Sequence, residues 1–122
     1  MSYRLTEAAA SDISGILRET TRQFGPVQRR RYAALITRAI ELAAVQPDRP
    51  GSRSREDLAA GLRSLHVEIA ARRRGAAVHV VYYLREQFGD GRDGIVVVRV
   101  LHERMEPLRH LTRGEGWEGT RR

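Results

Sequence analysis

Beyond residue 62 the chain contains strand-like segments that are apolar on both sides, and few folds accommodate them. Leu62 to Ile69, Ala77 to Arg85 and Ile95 to His102 repeat with a period of two, the signature of extended chain. In the last segment Val96, Val98 and Val100 are expected on one side, with Ile95, Val97, Leu101 and Arg99 on the other. In the middle one Val78, Val80, Tyr82 and Leu84 oppose Ala77, His79, Val81 and Tyr83. A sheet wetted on one side alternates apolar and polar residues, and these strands do not. Both sides therefore need cover. Arg72-Arg73-Arg74-Gly75 forms a turn, and Gly89 to Gly94 is a tight polar connection that makes the last two strands an antiparallel hairpin.

The first half supplies one cover. Tyr3-Arg4-Leu5 alternates like a short strand, and Thr6 is placed to cap a helix. Ile13, Ile16, Leu17, Thr20 and Phe24 share one helical face. Gly25-Pro26 ends that helix and starts another, which buries Tyr32, Leu35, Ile36, Ala39, Leu42 and Ala43. So short a connection predicts an antiparallel helical hairpin. Pro47 to Gly61 is a connecting loop in which Ser54-Arg55-Glu56-Asp57 caps a single turn. Met105 to Leu111 closes the domain as a helical turn after Pro107. The predicted fold is α+β, one domain over residues 1–111, with a disordered tail over 112–122 in which Trp117 has no fixed role.

One hairpin covers one side of a small sheet. The other side is expected to expose an apolar strip that takes an amphipathic segment of a partner, unless the C-terminal turn folds back over it. Val78, Val80, Tyr82, Val97 and Leu101, or their counterparts on the opposite face, are the candidate partner-binding residues, because a shift of one residue exchanges the sides.

The charge balance narrows the chemistry. The net charge is +7, and every basic residue apart from His is Arg. Without Lys there is no Schiff base, no P-loop lysine and no lysine general base. Without Cys there is no disulfide or thiolate chemistry, which suits a reducing cytosol. The opening residues hold no apolar core of a secretion signal, and no run is long enough for a membrane span. His66, His79, His102 and His110 lack metal-ligand spacing, so neither metal nor cofactor is expected. Gly89-x-Gly91-x-x-Gly94 joins two strands and opens no helix, which removes the dinucleotide reading. Ser52, Ser54 and Ser64 stand in no nucleophile-elbow context. Arg29-Arg30-Arg31 at a helix start opposes the helix dipole and invites an anionic partner.

Four stretches carry a family likeness. They are Tyr3-Arg4-Leu5 with Ala9 and Asp12-Ile13; Gly61-Leu62-Arg63-Ser64; His79-Val80-Val81-Tyr82-Tyr83; and Arg99 to Glu106 with Arg109-His110-Leu111. Over about residues 3–111 the chain resembles the ParE/RelE superfamily of bacterial toxins from type II toxin–antitoxin systems, and its ending resembles the ParE branch. The resemblance implies a non-enzymatic toxin that inhibits DNA gyrase by protein–protein contact. A cognate ParD-like antitoxin would wrap and neutralise it. The implied target contacts are Arg99, His102, Arg104, Met105, Arg109 and Leu111. The alternative is a RelE-like endonuclease acting on mRNA at the ribosome. There Arg63 and Arg99 would hold phosphate, His102 would be acid or base, and Tyr82 or Tyr83 would stack on a base. Val67 to Ala77, with its three arginines, is longer than the usual turn of the family.

Overall fold

A computed structural model describes residues 2–111; the expected tail over 112–122, with Trp117, lies outside the described residues. Strand β1 (Ser2–Leu5) leads into α1 (Glu7–Val45). Thr6 caps the helix as expected, its Oγ1 accepting from the Ala9 N–H at 3.0 Å. Gly25, at φ 88°, breaks the helical run before Pro26. An unbroken helix of this length would reach about 58 Å. Instead Asp12 meets Val100, Tyr32 meets His79 across the sheet from His102, and Ala44 lies beside Gly94. The chain runs out along the sheet and returns, which is the expected antiparallel hairpin.

Strands β2 (Arg53–Ser54), β3 (Arg63–His66), β4 (His79–Gln87) and β5 (Asp93–His102) complete a five-stranded sheet in the order β1-β5-β4-β3-β2. β1 runs parallel to β5, and the remaining pairs are antiparallel. α2 (Pro107–His110) is the expected closing turn. No described helix is long and apolar enough to cross a membrane.

Three expectations change. The strand expected over Leu62 to Ile69 stops at His66, because the ring Nδ1 accepts from the Glu68 N–H at 3.1 Å and turns Val67–Ala70 into a 3-10 helix. The loop after α1 holds the two-residue strand β2, too short for a period to register. A bulge in β5 sets Tyr82 opposite Arg99 and Tyr83 opposite Val97, leaving Val98 unpaired. The phase of β5 shifts there. Ile95, Val97 and Val100 pack with α1 through Ala9, Ile36, Ala39, Ile40 and Ala43, whereas Val96, Val98 and Leu101 face the other way. The expected grouping of Val100 with Val96 and Val98 fails for this reason.

The parallel contact of β1 depends on Gly94. A Cβ at Gly94 would stand 2.2 Å from the Ser2 carbonyl oxygen and 2.6 Å from the Phe88 ring. Gly94→Ala is expected to push β1 off β5 and lower stability by about 1–3 kcal/mol, the usual cost of overpacking. Urea unfolding followed by far-ultraviolet circular dichroism measures it.

Candidate functional site

The outer edge of β5 beyond Val97 has no strand partner, since β1 ends at Leu5 opposite it. The start of α1 closes that edge. Thr6 Oγ1 donates to the Val98 carbonyl at 2.9 Å, and Asp12 Oδ2 accepts from the Val100 N–H at 2.9 Å. Arg99 then grips the same carboxylate with two donors, Nε at 2.7 Å and Nη2 at 2.8 Å. Its Nη1 donates to the His110 carbonyl at 2.7 Å, which holds α2 in place. Both side chains are mostly hidden, Arg99 at 12% exposure and Asp12 at 14%. Arg99, expected as a target or phosphate contact, ties helix, strand and closing turn together.

The second face of the sheet is not open. Leu62, Tyr82, Val96, Val98, Leu101 and Leu111 form a second core, with Leu58, Ala59, Val80 and Leu84 packed against it. The expectation of an uncovered apolar strip is therefore corrected: the loop before β3 covers part of it, and Leu111 folds back over the rest. Of the residues expected to bind a partner, Val97 lies in the first core, and Tyr82 and Leu101 lie in the second. Val80 is half-buried, and Val78 is exposed at 38%.

An open cleft lies at the end of the sheet where His79 pairs with His102. Ile16, Phe24, Gln28, Tyr32, Val78 and His102 line a cleft of about 360 Å³. Phe24, expected on the buried helical face, is 68% exposed, because the break at Gly25 turns it outward at the corner of the hairpin. In the cleft wall Tyr32 Oη accepts from the Val78 N–H at 3.1 Å and shares a hydrogen bond with His79 Nδ1 at 2.6 Å. Burial, aided by the nearby His102 and His66, lowers the His79 pKa to about 4, while Glu103 pulls weakly the other way. Burial raises the Tyr32 hydroxyl. Glu103 is lowered chiefly by its hydrogen bond with His66, at 2.7 Å.

Past β5 the chain turns sharply. The Glu103 N–H donates to the Val78 carbonyl, the Arg104 N–H to His102 Nδ1, and the Met105 N–H to the His102 carbonyl. The turn presents Arg104 and Met105 outward, and α2 does the same for Leu108 and Arg109. Of the six expected target contacts, Arg104, Met105 and Arg109 are exposed and His102 is half-buried. Leu111 is buried and Arg99 is spent on Asp12. Leu108, within the same segment, is 61% exposed.

The residues considered for RNA cleavage do not converge. Arg63 on β3 donates through Nε to Ser52 Oγ at 2.8 Å, beside the Tyr83 hydroxyl that donates to the Pro47 carbonyl at 2.5 Å. Arg99 lies two strands away, about 10 Å in a sheet. Among the described residues no group of three or more His, Asp or Glu is placed to hold a metal ion.

A family model described as "ParE toxin of type II toxin-antitoxin system, parDE" matches residues 3–107. None of the curated proteins compared with the chain matches it.

Two outcomes follow from this geometry. Asp12→Ala strands the Arg99 guanidinium and the Val100 N–H, and is expected to cost about 3–5 kcal/mol in urea unfolding. Asp12→Leu combined with Arg99→Met is expected to cost less, since no charge is left unpaired. His79 stays neutral in the folded chain down to about pH 4, whereas in the unfolded chain it binds a proton near the ordinary histidine value of 6.5. Its contribution to stability is complete above the higher value and is lost as pH falls toward the lower one. Urea midpoints compared at neutral and mildly acidic pH are expected to fall for the wild type and to fall less for His79→Gln.

Proposed function

Because the chain belongs to the ParE toxin family of type II toxin–antitoxin systems, we propose that it arrests growth by direct contact with DNA gyrase and is neutralised by a ParD-like antitoxin. The action takes place in the bacterial cytoplasm, where gyrase works on DNA. One observation carries this reading. The C-terminal turn offers Met105 and Leu108 to solvent, 46% and 61% exposed, with the charges of Arg104 and Arg109 beside them. An apolar anchor ringed by arginine is the composition of a protein-binding hot spot. The platform beneath is rigid, because Arg99 holds the His110 carbonyl and Leu111 is buried.

The polar groups nearby favour contact over chemistry. Tyr32 is bonded to His79, His66 to Glu103, Arg63 to Ser52 and Arg99 to Asp12. Each serves the fold, and together they assemble no base and acid on a common point. For the antitoxin, the accessible part of the expected strip is Val78 with half-buried Val80. Phe24 and Val27 stand beside the cleft, and Arg29 to Arg31 follow them on α1. An amphipathic segment with acidic residues suits that surface.

Purified toxin, gyrase, ATP and relaxed plasmid test the reading. The expected result is loss of supercoiling and accumulation of linear plasmid after detergent and protease. Combined Arg104→Ala, Met105→Ala and Arg109→Ala is expected to leave the circular dichroism spectrum unchanged and to weaken inhibition at least about tenfold, as loss of a hot spot does. Unimpaired gyrase, together with messages cut in a translating extract, would overturn it.

A further inference from the structure

Among the described arginines some are paired with carboxylates and others are not. Arg4, Arg22, Arg38, Arg55, Arg85, Arg92 and Arg99 each have a carboxylate partner. Arg49, Arg72, Arg73 and Arg74 have none, and all four line one concavity of about 420 Å³. It lies between the loop after α1 and the loop leading to β4, at a distance along the chain from the C-terminal turn.

The second loop is built to hold its cations apart from counter-charge. Arg72 has φ 55°, the only positive value at a non-glycine position among the described residues. The Ala71 N–H donates to the Glu68 carbonyl at 3.0 Å, and the Ala76 N–H to the Arg73 carbonyl at 3.3 Å. Glu68 contributes the one carboxylate in the concavity, and its Oε1 accepts from the Gly75 N–H at 2.8 Å. That bond fixes the loop and leaves the guanidinium groups without an ion pair. Like charges crowded in this way repel, and backbone strain at Arg72 adds to the cost. An anionic ligand with several charges relieves the repulsion.

The lining decides which anion. Its one aromatic ring is His66, 27% exposed and fixed through both ring nitrogens, Nε2 to Glu103 and Nδ1 to the Glu68 N–H, so it offers successive bases little to stack on, which disfavours single strands. Ile69 is its only sizeable apolar side chain, so an acidic peptide finds little anchor. The dominant groups are guanidinium, which pairs bidentately with phosphate. We infer that the Arg49, Arg72, Arg73 and Arg74 concavity binds the phosphate backbone of a nucleic-acid duplex, without reading its sequence. The contact stands apart from the gyrase reading and is measured without gyrase.

Fluorescence anisotropy of a short labelled DNA duplex with the full-length chain, over a series of salt concentrations, tests it. An RNA duplex of the same sequence, a DNA single strand and a poly-glutamate peptide are run alongside. Both duplexes are expected to bind, their relative affinities identifying the natural source, and the single strand and the peptide to bind at least about tenfold more weakly. Combined Arg72→Gln, Arg73→Gln and Arg74→Gln is expected to weaken duplex binding at least about tenfold near 0.1 M salt and to reduce the salt slope by about two to three. Arg49→Gln, on the facing loop, is expected to reduce the slope by about one. Combined Arg29→Gln, Arg30→Gln and Arg31→Gln removes the same charge from α1 and is expected to change affinity less than about threefold. Equal loss in the two triple variants would overturn the inference, since it would mean attraction to net charge alone. So would peptide binding as tight as duplex binding, or no duplex binding by the wild type.

Discussion

The contact between Arg99 and Asp12 joins the parts of the fold that sequence distance keeps apart. β5 is the most buried strand, yet beyond Val97 it is an edge strand whose N–H groups need acceptors. Asp12 supplies one, to Val100, and a carboxylate so placed needs a counter-charge. Arg99 provides it from the adjacent position on the strand and also donates through Nη1 to the His110 carbonyl. The first turns of α1, the end of β5 and the closing turn α2 are thereby fixed to one another. A well-packed apolar cluster would hold these elements together without such directional demands. The ion pair adds register: it fixes which residue of β5 sits against which turn of the helix.

The bulge at Val98 has a consequence of similar reach. By shifting the phase of β5 it sends Val100 to the helical side and Leu101 to the other. Each side of the sheet then carries a complete apolar set, one covered by α1 and the other by Leu58, Leu62 and Leu111. With both faces closed, the surfaces left for partners are rims. One is the corner of the hairpin, with Phe24 and Val27; another is the exposed side of the closing turn, with Met105 and Leu108. Large apolar side chains left in solvent at such rims mark contact with other proteins more readily than scattered exposure does.

Charge is divided along the same lines. Guanidinium groups with partners hold strands, loops and helix turns together, as Arg4 does with Glu86 and Arg55 with Asp57. Four without a carboxylate partner, Arg49 and Arg72 to Arg74, line one concavity. The two surfaces differ in chemistry: the closing turn sets Met105 and Leu108 beside arginine, while the concavity sets four arginines around Glu68.

Much of the architecture was legible in the residues. Thr6 as a cap, Gly25-Pro26 as a corner, the two-sided apolar strands and the Gly89 to Gly94 connection are local signals. Each depends on residues within a turn or a strand of one another, so order along the chain carries them. The family likeness rested on the same short stretches, and the match over residues 3–107 agrees with it. Other features had no local signature. A bulge is set by what the neighbouring strand presents, so period two placed Val100 on the wrong side. The closure of the second face depends on Leu111 reaching back across the sheet, a contact that hydrophobic counting could pose as a choice and not decide. Arg99 looked like a surface cation because its partner lies 87 positions earlier. The sequence determined the elements, their order and the need for cover on both sides, because propensity and periodicity act between neighbours. Only the tertiary structure decided which cations are spent and which apolar residues stay open, because burial and pairing depend on distance in space.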